Sequence, residues 1–262
     1  MDTTTDSPVI LLGSQRSGTT AFAYALSDAY AKADGIFTVN GKLMYFLHRW
    51  LTDGDINVRH FRVDEILHSL HRRIPGGEGS KRWLEQVERV LRKAAEEVAD
   101  GLHNNALALG RTIVAESYTG YTRWGDKYNE YLHHLSHLDE IIPDARYIIL
   151  FRSPNDSVAS ILEWTGDRPW RPSTVDSNLE KWALWHSEVF RLLEKLPKKR
   201  YLVTEYNSLC KGEETIRLSE FVGLDLEPHL RFMSQRRKPT DHPVLPARVK
   251  EIWIRLKAYH EK

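Results

Sequence analysis

The sequence predicts one α/β domain built on a central, mainly parallel sheet with helices on its faces. Three observations carry this: a strand-like run handing over to a helix through a glycine loop near the start, a second continuous apolar run in mid-chain, and helical segments between them. Val9-Ile-Leu-Leu12 is short, apolar and followed by Gly13, and Ala21-Phe-Ala-Tyr-Ala-Leu26 favours helix. Arg146-Tyr-Ile-Ile-Leu-Phe151 lies between Pro143-Asp144 and Ser153-Pro154, as expected of a strand buried on both faces of a parallel sheet.

Thr112-Ile-Val-Ala115 and Tyr201-Leu-Val-Thr204 read as two further strands. Helical spacing covers Lys81–His103, Tyr128–Glu140, Asn178–Leu196 and Glu213–Val222, the last closed by Gly223. The chain reads as a single domain over 1–262, with a helical insertion or lid at roughly 54–108 that contains the loop Pro75-Gly-Gly-Glu-Gly79.

At 262 residues and 41% hydrophobic, the chain is long enough for one large core. Lys plus Arg number 37 against 36 Asp plus Glu, so no general electrostatic pull toward nucleic acid or anionic membrane is expected. Any anion site must be local. The single cysteine, Cys210, excludes an internal disulfide and a thiolate zinc cluster, and it reads as a small hydrophobe. The polar, acidic start and the lack of a long apolar run predict no membrane span and a cytoplasmic location.

Gly13-Ser-Gln-Arg-Ser-Gly-Thr-Thr20 stands where a strand meets a helix, so its backbone N–H groups and the helix's positive end can converge on an anion. The G-x-x-x-x-G spacing is that of a P-loop. A magnesium-dependent kinase or nucleotide hydrolase would follow it with Lys, yet position 19 is Thr and the cation sits inside the loop at Arg16. A guanidinium with backbone donors can neutralise a phosphosulfate without a metal.

Arg16-Ser-Gly-Thr-Thr20 resembles the 5′-phosphosulfate loop of sulfotransferases that use 3′-phosphoadenosine 5′-phosphosulfate (PAPS). Arg152-Ser-Pro-Asn-Asp-Ser-Val-Ala-Ser160 is similar to that family's R-x-P-x-D-x-x-x-S segment, which implies that Arg152 and Ser160 grip the 3′-phosphate. Gly125-Asp-Lys-Tyr-Asn-Glu-Tyr-Leu132 resembles G-D-K-T-P-x-Y-L, which implies that Lys127 approaches the transferring sulfonate. Lys238-Pro239 and part of this pattern also resemble the tyrosylprotein sulfotransferases. By the same resemblance, Tyr206 ends a donor-side strand, Trp182–His186 matches a W-x-x-x-N helix, and Arg236, Arg237 and Lys238 belong to a basic segment that closes over the donor.

The resemblance implies sulfonate transfer from PAPS to a hydroxyl or amine of a small-molecule, natural-product or carbohydrate acceptor, with adenosine 3′,5′-bisphosphate released and no metal. The donor-binding set is then Gly13, Gln15, Arg16, Ser17, Gly18, Thr19, Thr20, Arg152, Ser160, Tyr206, Arg236, Arg237 and Lys238. Arg16 and Lys127 would stabilise charge on the moving group. A hydroxyl acceptor also needs a base. Relatives carry an acid where this chain has Lys42, so Asp126 and Glu116 rank ahead of His48 for that task. Lys42 itself reads as a donor to anionic substrate, and Arg72 and Arg73, in 54–108, as candidates for an anionic or polyol acceptor.

Overall fold

The computed structural model describes residues 7–164, 172–233 and 244–262. Five strands form its sheet: β1 (Val9–Leu12), β2 (Ile36–Val39), β3 (Trp124–Lys127), β4 (Arg146–Phe151) and β5 (Tyr201–Glu205). Their order is β2-β3-β1-β4-β5 and every pairing is parallel. All five carboxyl ends therefore open on one edge, the place where open α/β sheets bind ligands.

Alternation along the strands sorts their side chains to two faces. Val9, Leu11, Ile148 and Leu150 join a smaller core with Phe22, Leu26 and Tyr30 of the helix Thr19–Ala31. Ile10, Leu12, Ile149, Phe151 and Val203 face a larger one, where the helices Ser80–Ala99, Ala106–Ser117, Val175–Lys195 and Ala247–His260 pack. The pairing of β3 with both β1 and β2 requires Gly125, because a Cβ there would stand 2.5 Å from the Val9 carbonyl oxygen and 2.4 Å from the Phe37 ring.

The segment 54–108 contributes the helices Val63–Arg72 and Ser80–Ala99. Ile66, Leu70, Trp83, Val87 and Leu91 are all fully buried in the larger core. At about 1.5–3 kcal/mol for each large apolar side chain buried, these residues bind the segment firmly to the sheet. Only the end of the Val63–Arg72 helix and the residues just after it reach the strand edge.

Two expectations are corrected. Thr112–Ala115 is the third turn of the helix Ala106–Ser117, whose cap Asn105 accepts the Ala108 amide at 2.7 Å. Its β-branched pair Thr112-Ile113 suggests a strand, but Ile113 and Val114 bury at helical spacing beside Leu109 and Gly110. The continuous helix expected over Tyr128–Glu140 is broken at His134 into a 3₁₀ turn, Asn129–His133, and a helix, Leu135–Ile141. Meanwhile β2 and β3, each four residues long, went unread as strands because Gly35, Gly125 and the charged pair Asp126-Lys127 dilute the apolar signal.

Candidate active site

The loop 13–20 is shaped before any ligand arrives. Arg16 and Gly18 have positive φ angles, 67° and 90°. At Gly18 only glycine fits, because a Cβ would lie 2.3 Å from the Tyr206 ring. Ser17 Oγ donates to the Ser14 carbonyl at 2.6 Å and pins the turn. Gly18 caps the helix Thr19–Ala31 with no side-chain hydrogen bond, so the first-turn amides are left for an anion.

A cavity of about 1110 Å³ opens over this loop. On its β4 side, Arg16 Nε donates to Ser160 Oγ at 3.0 Å, and Arg152 Nη1 donates to the Arg16 carbonyl at 3.4 Å. Arg152 lies 4.7 Å over the Tyr206 ring, and its Nε is buried without a hydrogen-bond partner. A buried guanidinium N–H with nothing to bond is costly, and a phosphate oxygen would satisfy it. Ser160 reaches the cavity because Ser153 caps the helix Pro154–Leu162 with Pro154 at its first position. Gln15 also lines the cavity and accepts Lys181 Nζ at 3.0 Å.

Lys127, at the end of β3, is 1% exposed. Its ammonium donates to Asn129 Oδ1 at 2.8 Å, Asn40 Oδ1 at 3.1 Å and Thr20 Oγ1 at 3.3 Å. Three donors meet three neutral acceptors. Burial without a directly bonded carboxylate brings its pKa down to about 8. Asn129 in turn donates through Nδ2 to the Gly13 carbonyl at 2.7 Å and to Thr19 Oγ1 at 3.2 Å. This tie between Lys127 and the loop was not read from the sequence, where Asn129 registers only as a departure from Thr-Pro.

The Sulfotransferase family model matches residues 8–228. The chain belongs to that family. No curated protein matches it. Among solved structures, it is similar to the sulfotransferase domain of the Synechococcus PCC 7002 olefin synthase, with a TM-score of 0.63 at 17% identity, covering 96% of this chain and 94% of that one. The sulfotransferase domain from the curacin biosynthetic pathway gives a TM-score of 0.58 at 13% identity, covering 96% and 97%. Both carry the same fold.

Within this sulfotransferase, the residues considered as bases from sequence lie apart from the cavity. Asp126 is fully buried, with Oδ1 accepting Thr38 Oγ1 at 2.8 Å, the Gly41 amide at 2.9 Å and the Lys127 amide at 2.7 Å, while Tyr131 donates to Oδ2 at 2.5 Å. Burial pushes its pKa up against these four donors, and its work is to hold the turn after β2. Glu116 is half-buried on the helix Ala106–Ser117 and pairs with Lys93 at 3.3 Å, so the strand that was to carry it to the crevice is a helix turned elsewhere. His48 packs against His134 and His137, with ring centroids 4.3 and 4.6 Å away.

Lys42 does line the cavity. It is 7% exposed, has a left-handed backbone (φ 66°) and donates to the Arg73 carbonyl at 2.8 Å. Glu130, passed over in the sequence as a variable position, is the one carboxylate among the described residues that line the cavity. Arg236, Arg237 and Lys238 lie outside the described residues. The described residues hold no cluster of three or more His, Cys, Asp or Glu able to bind a metal ion, and none of their helices is long and apolar enough to cross a membrane.

Proposed function

We propose that this sulfotransferase moves a sulfonate from PAPS to a hydroxyl or amine of a small-molecule, natural-product or carbohydrate acceptor in the cytoplasm and releases adenosine 3′,5′-bisphosphate. The observation that carries the reading is the Arg16 Nε–Ser160 Oγ hydrogen bond, 3.0 Å long across 144 positions, which joins the two donor segments in one cavity. A phosphosulfate loop and a 3′-phosphate grip must meet if one nucleotide is to span both. A natural-product acceptor is in keeping with the biosynthetic origin of the two fold neighbours.

When bound, PAPS supplies a sulfonate activated by a phosphate leaving group. Arg16 and the amides at the start of the helix Thr19–Ala31 hold the phosphosulfate, while Arg152 and Ser160 hold the 3′-phosphate. The Lys127 ammonium faces the charge that develops as the acceptor oxygen bonds to sulfur and the sulfur–oxygen bond to phosphate breaks. Glu130 receives the acceptor's proton.

The test is thermal stabilisation. Adenosine 3′,5′-bisphosphate should raise Tm in EDTA, and ATP with magnesium should not do so in its place. Stabilisation by ATP and magnesium alone would return the loop to the kinase or nucleotide hydrolase reading.

A further inference from the structure

The strand order divides the cavity. Arg152, Ser160 and Tyr206 follow β4 and β5 on one side of the central β1, and Lys42, Lys127 and Glu130 follow β2 and β3 on the other. Among the described residues, six cations line the cavity against one carboxylate, Glu130: Arg16, Lys42, Arg72, Arg73, Lys127 and Arg152. Arg16, Lys127 and Arg152 already serve the donor's phosphates and sulfonate in the reading above. Lys42, Arg72 and Arg73 remain, and Lys42 stands at the β2 end, joined to Arg73.

Arg72 and Arg73 are exposed, and their surroundings differ from those of several other arginines. Arg62, Arg92, Arg200 and Arg217 each find a carboxylate within 3.1 Å. The Arg72 and Arg73 guanidinium groups have neither an ion-pair nor a hydrogen-bond partner among the described residues, although both border the cavity. Placement at the end of the helix Val63–Arg72 gives Arg72 a favourable interaction with the helix dipole. That accounts for a cation on the last turn and not for Arg73 and Lys42 lining the same cavity. Lys42 is the most telling. Its ammonium is nearly buried, its one hydrogen-bond acceptor among the described residues is the Arg73 carbonyl, and burial and then the Arg73 charge hold its pKa below the usual lysine range. Two of its donors are unspent. Phe46 and Ile74 line the same cavity and suit an apolar body between the charged group and the reacting atom.

We propose that the acceptor itself is an anion, whose phosphate or carboxylate is held by Arg72, Arg73 and Lys42 at the β2 end of the cavity. The inference rests on the sulfotransferase reading for its division of donor from acceptor. Two arginines with a lysine present forked and point donors that match either oxyanion.

The experiment compares wild type with the double variant Arg72→Gln/Arg73→Gln by calorimetric titration, with and without saturating adenosine 3′,5′-bisphosphate. The probes are phenyl phosphate, benzoate and the neutral benzyl alcohol. Wild type should bind at least one anion more tightly than benzyl alcohol in the presence of the nucleotide, and the double variant should lose roughly tenfold or more of that affinity. Nucleotide affinity should be the same in both proteins. The tighter of the two anions names the acceptor's charged group. Equal binding of anions and alcohol by wild type, or unchanged anion binding by the double variant, overturns the proposal. Loss of nucleotide binding in wild type, with the anion difference intact, would instead remove the donor reading and leave this subsite standing.

Discussion

The Asn129 amide joins two parts of the site that the chain keeps far apart: Nδ2 reaches the Gly13 carbonyl at 2.7 Å while Oδ1 receives the Lys127 ammonium at 2.8 Å. One side chain thus sets the height of the lysine above the phosphate loop. Asn129→Ala should lower kcat by roughly tenfold or more, the usual scale for a misplaced charged donor, with a smaller change in donor KM. Asn129→Asp keeps an acceptor for Lys127 but loses the donor to the Gly13 carbonyl, so kcat should fall here too, while the added negative charge beside Lys127 should move the pH profile toward alkaline pH. A purely structural role would leave that profile where it is.

In the proposed mechanism Lys127 acts as an ammonium, and burial brings its pKa down to about 8. Its charge is present below that pH and is lost as pH rises through it. The donor kcat/KM should therefore decline on the alkaline side near pH 8, and Lys127→Arg should shift the decline upward, since guanidinium stays charged. A profile flat from pH 7 to pH 10 in wild type would contradict the assignment.

Glu130→Gln should preserve donor binding and lower kcat with a hydroxyl acceptor by about a hundredfold, within the range for loss of a general base. An amine acceptor that binds neutral needs less help and should be affected less. Equal losses with both acceptors would point to a positioning role for Glu130.

His186 predicts the acid side of the stability curve. It is fully buried, with Nδ1 2.7 Å from the Trp182 carbonyl and Nε2 without a partner, and burial brings its pKa down to about 4. The ring is neutral in the fold, whereas the unfolded chain takes a proton near pH 6.5. Its contribution is complete above that value and declines as pH falls toward 4, by on the order of 3 kcal/mol in total. Tm should fall through this window, and His186→Asn should flatten the slope.

Sequence legibility followed how local each signal is. The phosphate loop and the Arg152–Ser160 segment were readable because glycines, a cation and hydroxyls sit within a few positions of one another beside an apolar strand. The base was not. Asp126 and Glu130 lie four residues apart, one buried in β3 and the other in the 3₁₀ turn Asn129–His133 against the cavity. Thr112–Ala115 shows the converse, where a β-branched pair outweighed a helical burial pattern visible only once its neighbours are packed. The tie through Asn129 needed contacts more than a hundred residues apart, which no spacing rule encodes.

The position of β1 at the centre of the order β2-β3-β1-β4-β5 has a consequence for how such a protein can change. On the proposed reading, the grip on the 3′-phosphate hangs from β4 and β5, the chemistry sits beside β1 and β3, and the acceptor's charge is read beyond β2. The stretch carrying Arg72 and Arg73 can thus be exchanged while the nucleotide grip stays in place. Retailoring the molecule for a new acceptor is then a local edit at one end of the sheet, with the moving sulfonate still delivered to the same point.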